Sequence, residues 1–192
     1  MFNTKNLSFA LIGTGLLSIS LGSTYASAAT DLTPLFSVYE EACGYIDSDK
    51  STKAANTYNT FKNSFITHEE STTNGVYDGT VFSLKENYVI PAPYKNAISS
   101  ITMEKGDDYS SDSVTYTVKF NNATYRNKPI SHLDIYVVPN SDMFYDALYL
   151  KTSMQGLKPH FKYEQLDDEK IGAHLDPAKK LILCDGIVGS YK

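Results

Sequence analysis

Chemistry in this chain has to come from a short roster of side chains. His132, Asp134 and Tyr136 stand two residues apart, so a strand would put all three on one face. Such a row can handle protons, or it can be a polar surface beside Thr115, Thr117 and Lys119 on a neighbouring strand. The surface reading has the greater weight, and His132 and Asp134 are the weak catalytic candidates. A nucleophilic enzyme needs a Ser, Cys or Thr beside a positioned base. The four histidines, His68, His132, His160 and His174, are far apart in sequence, and no serine sits in a G-x-S-x-G turn. Carboxylates crowd at Glu40-Glu41, Glu69-Glu70 and Asp167-Asp168-Glu169, where a solvated face is the ordinary outcome. Asp107, Asp108 and Asp112 are weak candidates for a calcium site, because the ligand alternation and closing Glu of an EF-hand loop are missing. The Gly186-Ile187-Val188-Gly189-Ser190 tail has the glycine spacing of a turn and lacks the Lys of a phosphate loop.

Cys43 and Cys184 are the only cysteines. Neither a C-x-x-C nor a second pair of soft ligands exists to build a zinc or haem site, and no cofactor is expected. Asp185 and Gly186 follow Cys184, but an exported thiol is expected to pair rather than attack. In an oxidising compartment one disulfide is the default, with two separate buried thiols as the alternative. The opening segment supports export. Lys5 precedes an apolar run from Leu7 to Leu21, and Tyr25-Ala26-Ser27-Ala28 ends in the small residues a signal peptidase reads. Residues 1–28 are therefore expected to be a signal peptide, and residues 29–192 one exported domain, periplasmic or secreted. No other stretch approaches membrane length, so no stable membrane insertion is expected after signal removal.

The whole chain has 192 residues, 17 basic and 22 acidic, for a formal charge of −5. Loss of Lys5 with the leader makes that −6, an unfavourable charge for nucleic-acid binding. Lys179-Lys180 is the densest basic pair and Arg126 the only arginine, which also disfavours phosphate recognition as the central task. A hydrophobic content of 42% excludes wholesale disorder.

The elements that must position these residues follow from periodicity. A helix is expected from Asp31 or Thr33, with Leu35, Tyr39, Ala42, Cys43 and Ile46 on one stripe. The polar run Asp47–Ser51 is read as a turn. A second helix then carries Ala54, Ala55, Tyr58, Phe61 and Phe65 inward. Residues 67–80 lose periodicity and are read as a polar connection. Strands are expected around Val81–Leu84, Ile98–Met103, Val114–Tyr125 and Leu133–Val137; a hairpin at Asn121-Asn122 is the alternative to the long third strand, and the last two pair antiparallel across a turn at Arg126–Pro129. Met143–Met154 suits helix or strand, Phe161 and Tyr163 suggest an edge strand, and Leu181–Cys184 a terminal core strand. The expected fold is α+β, an N-terminal helical hairpin packed on a mainly antiparallel sheet.

Fifteen tyrosines and no tryptophan supply rings that can be half buried with the hydroxyl wet. Export, acidic charge and excess Tyr point first to a protein-binding role, as an inhibitor or immunity factor against an exported or envelope protein. Charge complementarity favours a basic partner. The alternatives are a small-ligand carrier or envelope structural module, with a Tyr- and Phe-lined pocket between hairpin and sheet, and a hydrolase of wall polymer using a carboxylate or the His132-Asp134 row.

Overall fold

The computed structural model describes residues 28–44, 52–74, 76–106, 113–139, 144–166 and 168–185. The expected signal peptide up to Ser27, Ile46 of the expected first-helix stripe, the expected turn over 47–51, the candidate residues Asp107, Asp108 and Asp112, and the residues from Gly186 on lie outside them.

The fold is α+β, with an N-terminal helical region against a mainly antiparallel sheet. β1 (Thr30–Asp31) leads into α1 (Ser37–Glu40), a 3-10 turn (Ala42–Gly44) and α2 (Lys53–Asn63). Of the stripe expected on the first helix, Leu35, Tyr39, Ala42 and Cys43 are buried. The helix itself is one turn long. Asp31 Oδ1 accepts from the Thr33 amide at 2.9 Å and folds the chain before the helix, while Ala42, Cys43 and Gly44 take positive φ values of 47°, 57° and 87° and end it. Leu32, Leu35, Phe36, Val38 and Tyr39 are all fully buried, which leaves only Thr33, Pro34 and Ser37 in contact with solvent, too few for the polar face of a long amphipathic helix. α2 follows expectation. Thr52 caps it by accepting from the Ala55 amide at 3.1 Å, and Ala54, Ala55, Tyr58 and Phe61 point inward.

Residues 67–80 are not a loop. β2 (Ile66–Thr73) and β3 (Val76–Leu84) form an antiparallel ribbon, with Asn74 at φ 54° in its turn. The Asn74-Gly75 dipeptide was the available hairpin signal. Pro91 leads into the single turn α3 (Ala92–Lys95), after which β4 (Ile98–Lys105) pairs with β5 (Val114–Phe120). The long strand expected through Tyr125 is interrupted: Asn122, at φ 48°, separates β5 from β6 (Ala123–Tyr125), and both pair with β7 (Lys128–Val137). The tight turn between β6 and β7 carries Arg126 and Asn127 at φ 47° and 59°, the geometry that matches strand twist. β1 lies parallel to β6.

The ambiguous Met143–Met154 segment resolves as β8 (Phe144–Leu150) followed by turns. The edge strand expected at Phe161 and Tyr163 is shifted. Phe161 is buried after a 3-10 turn (Lys158–His160), and a small ribbon forms from β9 (Glu164–Leu166) and β10 (Glu169–Ile171). β11 (His174–Asp176) and β12 (Leu181–Asp185) complete the main sheet, whose central path runs β4-β5-β7-β8-β12-β11.

Between helices and sheet the space is filled by rings. Phe36 lies 5.8–6.2 Å, centroid to centroid, from Tyr39, Tyr58, Phe120 and Tyr125 in edge-on or tilted contacts. Each such pair adds about 0.5–1.5 kcal/mol beyond area burial. Tyr39, Tyr58, Tyr116 and Tyr125 are fully buried, so part of the tyrosine excess belongs to the core rather than to a wet surface. Burial raises the pKa of the Tyr39, Tyr116 and Tyr125 hydroxyls above the ordinary phenol value, with lesser contributions from neighbours at Tyr39 and Tyr125. The folded state then holds these protons more tightly than the unfolded chain. Their contribution to stability is complete below about pH 10 and is lost as pH rises beyond it. Alkaline titration should therefore show a late, cooperative rise in phenolate absorbance that coincides with loss of circular dichroism. A gradual rise to full ionisation with native dichroism at pH 12 would contradict this.

Candidate functional site

Strand alternation divides the central sheet into an inner and an outer face, and register decides which side chains share each row. On the outer face His132 stands between Lys119 and Tyr149, Asp134 between Thr117 and Ala147, and Tyr136 between Thr115 and Tyr145. β12 extends the rows with Leu181, Leu183 and Asp185, and β4 with Ser100, Thr102 and Glu104. The neighbouring polar row expected on the strand beside His132 is thus in place.

Two cross-strand stacks dominate this face. His132 and Tyr149 lie 4.2 Å apart with planes 11° from parallel, and Tyr136 and Tyr145 lie 4.7 Å apart at 15°. Between them Ala147 is almost fully covered, while Tyr145 remains 37% exposed. Partial burial raises the pKa of Tyr145, helped by Tyr136, Tyr149 and the Asp134 carboxylate, and it raises that of Tyr149, helped by Asp134. The phenols stay neutral and present hydroxyl dipoles beside one carboxylate.

The same geometry weighs the catalytic reading of His132 and Asp134. Ser131, beside the irregularity in the β7–β8 ladder, places its Oγ 3.0 Å from His132 Nδ1. Sequence reasoning missed this serine because strict alternation assigns it to the opposite face, and the bulge that overrides alternation has no local residue signature. His132 Nε2 is 3.7 Å from Asp134 Oδ2, beyond hydrogen-bond distance. Asp134 Oδ1 instead accepts from the Thr117 hydroxyl at 2.7 Å. A base needs an orienting partner bonded to its second nitrogen, and here Asp134 Oδ1 is taken by Thr117 while Oδ2 stands beyond hydrogen-bond distance of Nε2. The row lies on a polar, aromatic strip of the sheet.

Other chemistry-bearing groups are tied into structure. Cys43 and Cys184 form a disulfide across a separation of 141 residues, joining the 3-10 turn after α1 to β12, and both are buried. Cys184 is therefore no nucleophile in the oxidised protein. Arg126 grips Glu40 through both Nε and Nη2, and the Tyr125 hydroxyl donates to the same carboxylate at 2.8 Å. Its bidentate capacity is spent inside the protein. Lys62 Nζ lies 3.1 Å from Asp146 Oδ2, both side chains nearly inaccessible, and 5.1 Å from the Tyr58 ring centroid. Asp146 opposes Ile135 on one side and Cys184 on the other, so register alone turns it inward. No sequence pattern marked this pair.

His68 packs at 5.8 Å from Phe82 on the β2–β3 ribbon, and His160 and His174 stand on separate elements. Among the described residues no group of three or more His, Cys, Asp or Glu side chains is arranged to hold a metal, and no helix is long and apolar enough to cross a membrane. Comparison of the chain with protein-family models, with curated proteins and with solved structures finds no match.

Proposed function

We propose that this is an exported binding protein that docks another exported or envelope protein through the outer face of its central sheet, acting as an inhibitor or immunity factor. The observation that carries the reading is the pair of aromatic stacks on a solvent-facing sheet. Stacked tyrosines are already rigid, so they supply contact area at small entropic cost and are frequent anchors of protein interfaces. Glu104, Asp134 and Asp185 share the face with Lys119, an acidic balance that suits a basic partner. The leader-like segment and the buried disulfide support a periplasmic or secreted location.

The test is affinity capture by the exported, oxidised protein against native exported and envelope proteins, with calorimetry on any saturable partner. Replacing Tyr136 and Tyr145 together by alanine should weaken that complex at least a hundredfold, at about 2.8 kcal/mol or more for the pair. Replacing Lys53 and Lys95, which lie off this face, should leave it unchanged. A partner that binds the double tyrosine variant as well as the native protein rejects the surface. Failure to capture any saturable partner rejects the binding role.

A further inference from the structure

A cleft lies at the β11 edge of the sheet, where His174 opposes Leu183. The turn after β8, the β9–β10 ribbon and the start of β11 enclose a cleft of about 820 Å³. That is within the range of pockets that hold metabolite-sized molecules. Its apolar lining includes Met154 and Ala173, both buried, and its charged lining is Lys158 and Lys170, beside the neutral polar groups of Ser153, Gln155 and Tyr163 and the imidazole of His174. Among the described residues that line it there is no carboxylate, although acids outnumber bases in the chain.

Strand alternation produces that segregation. Lys170 opposes Gln165 in the ribbon, whereas Glu164 and Glu169 occupy the alternate positions and so project from the other face. Tyr163, two residues before Gln165, shares the face of Lys170, whose ammonium sits 3.9 Å from the Tyr163 ring centroid. A cation over an aromatic face is held in a defined place at modest cost. Gly172 makes room for this ring: at φ +151° it takes a conformation that side chains rarely adopt, and a Cβ there would lie 2.7 Å from Tyr163 Cδ1. The nearest acid on β11, Asp176, is engaged by its own turn, accepting from the Lys179 amide at 3.0 Å.

We infer that this cleft binds a small organic anion, a carboxylate or phosphate carried on an apolar body, with the charge at Lys158 and Lys170 and the body over Met154 and Ala173. Apolar lining with a few convergent charges is the usual composition of such a site. The inference stands independently of the docking face.

Three probes separate the two halves of the claim. Octanoate carries charge and body, octan-1-ol carries the body alone, and inorganic phosphate the charge alone. Calorimetry and amide chemical shifts on the exported, oxidised protein should show one saturable octanoate site with Kd of about 1 mM or tighter, with shifts centred on Lys158, Lys170 and His174. Octanol and phosphate should each bind at least tenfold more weakly. The double substitution K158Q/K170Q should weaken octanoate at least tenfold with the melting temperature unchanged, and K53Q/K95Q should not weaken it. Equal affinity for octanol or for phosphate, shifts centred elsewhere, no saturable octanoate binding, or full affinity in K158Q/K170Q would each overturn the inference.

Discussion

Replacing Cys43 and Cys184 together by serine should lower the melting temperature by about 10–20 °C. The magnitude follows from the loop the bridge closes. A separation of 141 residues removes, on the chain-entropy argument, about 5 kcal/mol of freedom from the unfolded state. For a protein of this length each kcal/mol moves the midpoint by about 2–4 °C. The bridge also holds Ala42–Gly44, three successive residues with positive φ, against the central sheet at β12. That backbone relies on tertiary anchoring because its local preference is elsewhere. Scanning calorimetry of native and double-serine protein measures the shift, and thiol titration of the denatured, unreduced protein should find no free thiol. A shift below about 4 °C would show that the closed loop contributes little to stability.

Single substitutions in the buried Lys62–Asp146 pair should each cost about 3–5 kcal/mol, while K62M/D146L together should return to within about 1 kcal/mol of the native protein. Desolvation lowers the pKa of Lys62, against the opposing effect of Asp146, and it raises that of Asp146, against the opposing effects of Lys62 and Tyr58. In both groups removal from water outweighs the attraction between them. Two apolar side chains of similar volume are therefore expected to serve folding about as well as the ion pair. Removing one member is different, because the other charge stays buried among Tyr58, Ile135 and the disulfide. Urea denaturation of native, K62M, D146L and double variants at pH 7 gives the coupling energy directly. Singles that cost less than 1 kcal/mol, or a double variant as unstable as the sum of its singles, would contradict this account.

Much of the sheet was legible as alternation. Val114, Tyr116 and Val118 oppose Val137, Ile135 and Leu133, so the apolar rows of β5 and β7 and the polar rows of the opposite face both meet in register. β2 and the first half of β3 were missed for a physical reason, whereas the strand expected at Val81–Leu84 is the second half of β3. β2 from Thr67 onward keeps solvent contact at every position, so it has no buried face to imprint a period of two, and only Asn74-Gly75 betrayed the turn. β1 and β9–β11 are two or three residues long, too short for any period to register.

The two cysteines, the α+β class and the shared row of His132, Asp134 and Tyr136 were determined by the sequence itself, because each depends on residue type or on local periodicity. Other features were decided only in three dimensions. Tyr149 and Tyr145 join that row from a strand whose periodicity was ambiguous, Asp146 turns inward to meet Lys62 from 84 positions away, and Lys170 is separated from Glu164 and Glu169 across a three-residue ribbon. These depend on strand register, and register is set by which long-range pairing buries the most apolar surface, a quantity that no local stretch of chain contains.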